Sequence, residues 1–264
     1  MAEPGSPLAP SLCVDAIATA GRWHTGYVPL SAFPASILPA ARRASAFSGI
    51  PLDHLMVTAD ADADADAAPG DAAGEDGVSA LALAALAARG EDARDEPLFF
   101  VRSGPLRDAM VAELAGLVHR FRWEGDDMGL THLEELGGIL VLDLIEWAVP
   151  AGATALICDE PLYADARAGG ARFSAVALRL RRGTGPLQVV ACGEGAPPGA
   201  PDTAGHLFTG RGPCDAWLAA HQALAAGRIA PGDTLLLHTK GPRREGWLTL
   251  HATDPARLRL PAPA

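Results

Sequence analysis

The closing stretch of the chain, residues 227–250, is the segment that most constrains the fold. It begins at Gly227, where a helix predicted over about residues 215–226 ends, and passes through a Pro-Gly-Asp turn into an apolar strand around Leu235. A return strand with the sequence Gly-Trp-Leu-Thr-Leu follows. Glycine and proline at the turns, with apolar runs between them, predict a helix followed by a buried hairpin that closes a sheet.

The middle of the chain predicts helices packed on sheets. Residues 136–148 are apolar almost all round, so we expect a central, enclosed helix there. Residues 153–158 then form an apolar run typical of a fully buried strand. Residues 172–181 alternate, so that Val176 and Leu180 face the same way. A strand, buried helix, strand and strand in this order indicate an α/β sandwich with mixed sheets.

Shorter elements are predicted on either side of this region. Periodicity, cap residues and turn residues predict the following elements: a strand over 12–19, a helix over 40–48 ended by Gly49, a strand over 54–58, a helix over 79–89 with Ser79 as N-cap, a strand over 97–102 and an amphipathic helix carrying Met110, Leu114, Leu117, Val118 and Phe121. Residues 193–205 form a Pro/Gly-rich link. Because a loop without structure over 193–212 would be long for a compact domain, we expect a functional or mobile segment there.

Residues 60–77 are acidic and poor in large apolar side chains. Asp60, Asp62, Asp64 and Asp66 alternate with alanine, and like charges at this density stay solvated, so we predict a mobile loop. A calcium loop of the EF-hand type is disfavoured, because its sixth and twelfth positions require glycine and glutamate, which this segment lacks there.

Length and charge exclude several classes of protein. With 264 residues the chain can bury a sizeable core, and we expect a single domain over 1–264. Its formal charge of -11, with one lysine among 21 basic residues, disfavours nucleic acid as a partner. No stretch resembles a signal peptide or a membrane span, so we expect a cytoplasmic protein that does not enter a membrane. The four cysteines are widely spaced and form no Cys-x-x-Cys pair, and neither a metal nor a cofactor is expected.

Two segments resemble a known family. The sequence Thr-His-Leu-Glu-Glu-Leu-Gly-Gly at 131–138, followed by the apolar helix, and the closing hairpin at 227–250 are similar to thiolase-like condensing enzymes, the β-ketoacyl-carrier-protein synthase III group in particular. The resemblance implies a layered α/β/α/β/α sandwich with mixed sheets. It divides the single domain into a first half, about 12–181, and a shortened second half, about 187–251.

The resemblance also shows where catalytic residues should stand. The family places its acyl-accepting cysteine at the start of the central helix, and Glu135 or Leu136 takes that place here. A catalytic histidine is expected within about 175–185, where the chain has none, and the chain contains no asparagine for the third position. The remnant of the site is expected to comprise His132, Glu134, Glu135, Leu136, Gly210 and Arg211.

Other residues could carry a relocated activity. Cys214 precedes a predicted helix, where a thiol can be activated, and could pair with His206 or His221. Glu135 could act as a relocated nucleophile, or its carboxylate could be structural and accept hydrogen bonds from the first-turn N–H groups of the central helix. In the structural case, Glu135→Gln is expected to lower stability modestly. Asp159 and the glutamate after it end a strand, where α/β folds place functional groups, but turn chemistry before a proline explains them equally well.

A family-like frame that lacks the reactive residues implies a catalytically silent ketosynthase-like subunit, similar to a chain-length factor. Such a subunit is expected to form a heterodimer with a cysteine-containing ketosynthase-like protein, or else a homodimer. It would act with that partner and an acyl carrier protein in fatty-acid or polyketide-type biosynthesis, including that of antibiotics. The alternative is an acyltransferase or thioesterase with a relocated nucleophile, Cys214 or Glu135. A binding module unrelated to acyl chemistry is a third reading.

Overall fold

The computed structural model describes residues 12–58, 77–88, 94–104, 110–149, 151–198 and 205–261. The predicted acidic loop, 60–77, lies outside the described residues except for Gly77. The strands are β1 (Leu12–His24), β2 (Tyr27–Pro29), β3 (Leu55–Thr58), β4 (Leu98–Arg102), β5 (Asp127–Leu130), β6 (Gly152–Asp159), β7 (Tyr163–Asp165), β8 (Ala171–Arg182), β9 (Leu187–Glu194), β10 (His206–Gly210), β11 (Thr234–Lys240) and β12 (Glu245–Ala252). The α-helices are α1 (Leu38–Ser48), α2 (Val78–Ala87), α3 (Met110–Phe121), α4 (Gly137–Ala148) and α5 (Asp215–Ala225).

The first half of the chain forms a five-strand sheet in the order β5-β4-β6-β8-β1. Strands β5, β4 and β6 run parallel, and β8 is antiparallel to both of its neighbours. The predicted alternation in β8 is confirmed, because Val176 and Leu180 enter one core cluster while Ala175 and Ala177 enter another. The sheet is therefore buried on both faces.

The second half forms a four-strand sheet in the order β10-β11-β12-β9. It joins the first sheet through a short antiparallel pairing of β9 with β1, at Cys13 with Gln188 and Val14 with Leu187. A separate small sheet, in the order β2-β3-β7, packs beside the first half. The stretch 193–212 is not one continuous loop, because β9 extends to Glu194 and β10 lies within the stretch.

Helices α4 and α5 lie between the two half-sheets. Helix α4 packs on β4 and β6 and also on β9 and β12, and α5 packs on β1 and on β10 and β11. The two helices begin side by side, since the indole N–H of Trp217 donates to the carbonyl of Gly138 at 2.7 Å. A side chain at position 138 would overlap the carbonyl oxygen of Pro213, so only glycine permits this approach.

The expectation that the 136–148 helix is enclosed all round is wrong for its last turns. Trp147 is 88% exposed and Leu144 is 37% exposed, although Val141 and Ile145 are fully buried. Helix α4 emerges from between the sheets before it ends. Some of the apolar residues of α4, such as Val141 and Ile145, therefore face the core, whereas Leu144 and Trp147 face solvent.

Helices α2 and α3 cover the other face of the first half-sheet, with Leu83, Leu114 and Leu117 in that core. The prediction of Ser79 as N-cap is wrong, because Gly77 holds the cap position and the Ser79 hydroxyl donates instead to Glu113 at 2.7 Å.

The predicted mixed α/β sandwich is confirmed, and the described residues show how its second half is arranged. Helices α4 and α5 are the described helices that pack extensively on β9–β12, and both do so on the inner face. On the outer face Val190 is 59% exposed and Leu207 is 44% exposed. Within the described residues, no helix is both long enough and apolar enough to cross a membrane.

Candidate functional site

A cavity of about 750 Å³ opens where strands β4, β6 and β10 end. The start of α4, the β10–α5 connection, the β11–β12 turn and the end of α1 complete its wall. The ends of parallel strands are where α/β folds place functional groups, because the backbone there opens into loops. Its charged lining residues are Glu134, Glu135, Asp159, Asp165, Arg167, Arg172, Arg211, Asp215 and Arg243.

Glu135 lies in a short 3-10 turn, Glu134–Leu136, directly before α4. It is only 8% exposed, and its Oε2 atom is buried without a hydrogen-bond partner. The turn between β11 and β12 presses against it, since a side chain at Gly241 would overlap the Glu135 carboxyl group. The expectation that this carboxylate caps the central helix is wrong, because the N-cap of α4 is Leu136 and no side chain caps it.

Glu134 holds the opposite wall of the cavity in place. Its Oε1 lies 2.7 Å from Nη1 of Arg243, whose guanidinium group stacks over the ring of Phe47 at 3.5 Å. The Glu134 carbonyl accepts a hydrogen bond from the Ser103 hydroxyl at 2.6 Å. Glu134 and His132 both adopt positive φ values, 55° and 65°. Non-glycine residues in this region are strained, and such strain clusters at functional sites.

Asp159 and Asp215 form the floor of the cavity with backbone from the second half. The Asp215 Oδ2 accepts hydrogen bonds from the backbone N–H groups of Arg211 and Gly212, both at 2.9 Å. A side chain at Gly212 would overlap the Asp159 carboxylate, so the backbone approaches that group closely. Burial, together with like-charge repulsion from the neighbouring Asp215, Glu160 and Glu135, raises the pKa of Asp159 to about 7.

The neighbouring Glu160 belongs to a different network. It pairs at 2.8 Å with Arg102, whose side chain is buried and also contacts Glu113. This network lies on the α3 side of the sheet and holds Glu160 away from the cavity. Asp159 is thus the carboxylate of the Asp-Glu-Pro turn that reaches the cavity.

The fold matches an acyltransferase and condensing enzymes of known structure. It superposes on the acyltransferase ChlB3 with a TM-score of 0.57 at 12% identity, covering 94% of this chain and 99% of that one. For 3-oxoacyl-(acyl carrier protein) synthase III, FabH, from Pseudomonas aeruginosa PAO1, the TM-score is 0.52 at 12% identity, with 92% and 99% covered. The fold is thiolase-like and resembles synthase III.

Further comparisons agree in fold and not in sequence. The tetronic acid condensing enzyme AbyA1 gives a TM-score of 0.53 at 13% identity, with 92% of this chain and 100% of that one covered. The sequence itself matches no family model and no curated protein. The likeness therefore establishes the thiolase-like fold alone.

The structure brings together part of the predicted remnant of the thiolase-like site. Glu134, Glu135 and Arg211 line the cavity. Leu136 is fully buried beneath it, where its side chain contributes to the core. His132 is exposed and does not line the cavity, although the strained turn that it starts leads into Glu135. The window 175–185, where the resemblance placed a histidine, lies mostly in β8, away from the cavity wall.

Gly210 has a backbone role at the end of β10. A side chain there would overlap Asp215, so glycine allows the β10–α5 connection to fold tightly onto the first turn of α5. Arg211 and Gly212, the next two residues, then reach the cavity.

The Cys214 pairing with a histidine is not supported by the geometry. Cys214 is fully buried, its thiol donates to the carbonyl of Ile157 at 3.5 Å, and burial raises its pKa well above the usual range. His221 lies two helical turns further along α5, about 10 Å away at 1.5 Å per residue. His206 begins β10, at the far end from Cys214, and pairs with Asp233 at 2.9 Å. A buried neutral thiol without a nearby base is not a nucleophile.

Sequence reasoning gave too little weight to Asp159. The signal was present, because a carboxylate followed a fully buried strand. What it could not show was the desolvation, which comes from the β10–α5 connection more than fifty residues later in the chain. In the described part of the chain, no cluster of three or more His, Cys, Asp and Glu side chains has the arrangement of a metal site.

Proposed function

We propose that this chain is a catalytically silent ketosynthase-like subunit that pairs with an active β-ketoacyl synthase-like protein in acyl-chain or natural-product assembly. One observation carries the proposal: no cysteine or histidine is among the described residues that line the cavity at the start of α4. Carbon–carbon bond formation on this fold requires a thiolate there, as the family resemblance implies. Glu135 cannot form the thioester.

The neighbours in fold support the kind of pathway. They include an acyltransferase, a synthase III and a condensing enzyme. The thiolase-like frame is kept over nearly the whole chain, with 94% covered in the comparison with ChlB3. A frame that persists while the reactive residues are replaced fits a role in which the surface, rather than the site, is used.

The edge of the first sheet supports pairing with a similar subunit. Strand β5 ends the sheet, and within the described residues its outer edge has no neighbouring strand. Met128 on this strand is 50% exposed. Unpaired strand edges are templates for pairing with another chain. The resemblance implies dimers built by such edge pairing, so we place the partner on β5.

Co-expression with a cysteine-containing synthase tests the proposal. The two proteins should co-purify, and the condensation activity of the partner should fall when this chain is omitted. Met128→Arg should abolish co-purification, because it sets a charge on the edge strand. Val190→Arg is the matched control, since Val190 is 59% exposed on β9, which four strands separate from β5 in the sheet order. A stable monomer that has no effect on any synthase encoded beside it would refute the proposal.

A second candidate is a thioesterase in which Glu135 acts on the acyl group. The observation that favours it is the unpartnered carboxylate oxygen of Glu135 at the cavity. Incubation of the purified chain with an acyl-thioester should then release free thiol, and Glu135→Gln should stop the release. Thiol release that persists in Glu135→Gln, or none in the wild type, rejects this candidate. Cys214 is fully buried and its pKa is raised by that burial, so it does not serve as the nucleophile.

A further inference from the structure

Two carboxylates in the cavity lack the partners that its other acids have. Oε2 of Glu135 is buried without a hydrogen-bond partner, in a side chain that is 91% buried. The nearest cation, Arg243, lies 3.8 Å from the other oxygen of Glu135 and is already paired more closely with Glu134. Asp159, within the described part of the chain, forms no ion pair and no side-chain hydrogen bond. Burying a carboxylate oxygen without a partner is costly, so Glu135 points to a missing donor, and the partly buried Asp159 acts on the same space.

The remaining acids of the cavity are satisfied. Asp165 pairs with Arg167 at 2.6 Å on the rim, and the Asp215 carboxylate accepts two backbone N–H groups. Because Asp165 and Asp215 already have partners, a further hydrogen-bond donor would be bound beside Asp159 and Glu135.

Two of the arginines that line the cavity lie against other parts of its wall. The guanidinium of Arg172 lies against β1, 3.1 Å from where a Cβ at Gly21 would be. Arg211 is exposed and reaches towards Gly49 at the end of α1. The charges that act on Asp159 are the three carboxylates Asp215, Glu160 and Glu135, and these raise its pKa. The floor of the cavity is therefore electronegative despite the arginines on its walls.

We propose that this cavity binds an organic cation, an amine or amidine whose charged end is held by Asp159 and Glu135. Its body would lie on the apolar part of the wall, formed by Ile50, Leu162 and Tyr163. An ammonium or amidinium group supplies both the positive charge and the hydrogen-bond donors that the two carboxylates lack. An anion would instead meet the electronegative floor.

This inference goes beyond the proposed function and does not depend on it. Binding is a property of the single chain, so it can be measured without a partner subunit. A chain that binds cations but pairs with no synthase would refute only the silent-subunit proposal, and the reverse result would refute only this one.

Calorimetric titration of the full chain at pH 8 with three ligands of the same shape tests the charge. Benzylamine, benzyl alcohol and benzoate share an aromatic body and differ in the end group. We expect benzylamine to bind at least about tenfold more tightly than benzyl alcohol, as one charge-assisted contact provides. Benzoate should bind most weakly. Equal affinity for the amine and the alcohol, or tightest binding of benzoate, overturns the proposal.

Proton release identifies the carboxylate involved. At pH 7 Asp159 is about half protonated, and a bound ammonium favours its ionised form, so benzylamine should release up to about half a proton per site. Titrations in buffers of different ionisation enthalpy measure this number, which should fall to nearly zero at pH 8, where Asp159 is mostly ionised and benzylamine is still protonated. Asp159→Asn should remove the proton release and weaken binding about tenfold.

Two further variants complete the test. Glu135→Gln should also weaken benzylamine binding about tenfold, and it gives the same comparison if Asp159→Asn does not fold. Asp143→Asn is the control, since Asp143 is exposed on α4 outside the cavity and its substitution should leave affinity unchanged. Wild-type affinity in both Asp159→Asn and Glu135→Gln overturns the assignment.

Discussion

The raised pKa of Asp159 makes a quantitative prediction about the pH dependence of stability. Its folded pKa is about 7, against an ordinary value of 3.8, so the folded state binds this proton more tightly than the unfolded state. Stability therefore falls as pH rises from about 4 through 7. A difference of about three pH units corresponds to about 4 kcal/mol in full, of which about 3 kcal/mol falls between pH 5 and pH 8.

Asp159→Asn removes this titration and keeps the side-chain volume. We expect the variant to gain about 3 kcal/mol over the wild type when pH 8 is compared with pH 5. Urea unfolding of both proteins at the two pH values gives the four free energies of unfolding. The double difference isolates Asp159, which is necessary because burial lowers the pKa of His221, and that group changes stability in the opposite direction. Asp165, with its pKa lowered to about 2 by Arg167, titrates below this range.

The result that would refute this reasoning is a double difference near zero. It would mean that water or a counter-ion reaches Asp159 freely, and that the close approach of Gly212 does not desolvate the carboxylate. A double difference of the opposite sign would mean that an arginine of the cavity pairs with Asp159 in solution.

Three further predictions concern burial and close packing. Replacing Glu135 with methionine should raise the midpoint of thermal unfolding, and should raise the free energy of unfolding by about 1–2 kcal/mol, because an unpartnered buried oxygen is removed. Glu135→Gln should change stability little. A loss of stability in Glu135→Met would show that this oxygen has a partner. In the native protein a thiol reagent should label Cys192, which is partly exposed, and should leave the buried Cys214 unmodified until urea is added. Peptide mass spectrometry measures the labelling of each cysteine. Rapid labelling of Cys214 in the native protein would contradict its burial. Gly138→Ala should lower the free energy of unfolding, measured with urea, by at least about 3 kcal/mol, since the added methyl group overlaps the residues at the start of α5. Gly116→Ala is the control. Its methyl group meets no atom within 4 Å, so it should not lower stability.

The sequence predicted the elements whose apolar periodicity lies within consecutive residues. Alternation in β8 and apolar periodicity in α4 and α5 are properties of consecutive residues, so their places and their inner faces were predictable. The short strands β5 and β10 were missed because four or five residues carry too little periodicity. Trp147 was misplaced because hydropathy does not show where a helix leaves the space between two sheets.

The site was predictable to the extent that it lies on one segment. Glu134 and Glu135 were found from the sequence around the helix start. Their neighbours come from the β10–α5 connection and the β11–β12 turn, over seventy residues further on. Whether Glu135 caps a helix or stays unpartnered depends on how close Gly241 approaches, and no local pattern encodes that distance.

The pairing of β1 has a consequence for how the protein folds during synthesis. This strand is made before β8 and β9, with which it pairs and whose residues emerge about 150 residues later. At 5–20 residues per second the ribosome needs about 8–30 s to supply them.

The segment around Arg259 also pairs with β1. The backbone N–H of Ile17 donates to the carbonyl of Arg259 at 3.0 Å, at the irregularity in β1 next to Asp15, and the Arg259 guanidinium contacts the Asp15 carboxylate. The nascent chain must therefore keep an apolar strand unpaired until β8 and β9 have emerged, and the arrangement closes only once Arg259 has emerged as well. A chaperone that shields residues 12–24 should raise the yield of folded protein more than one that acts on any later segment.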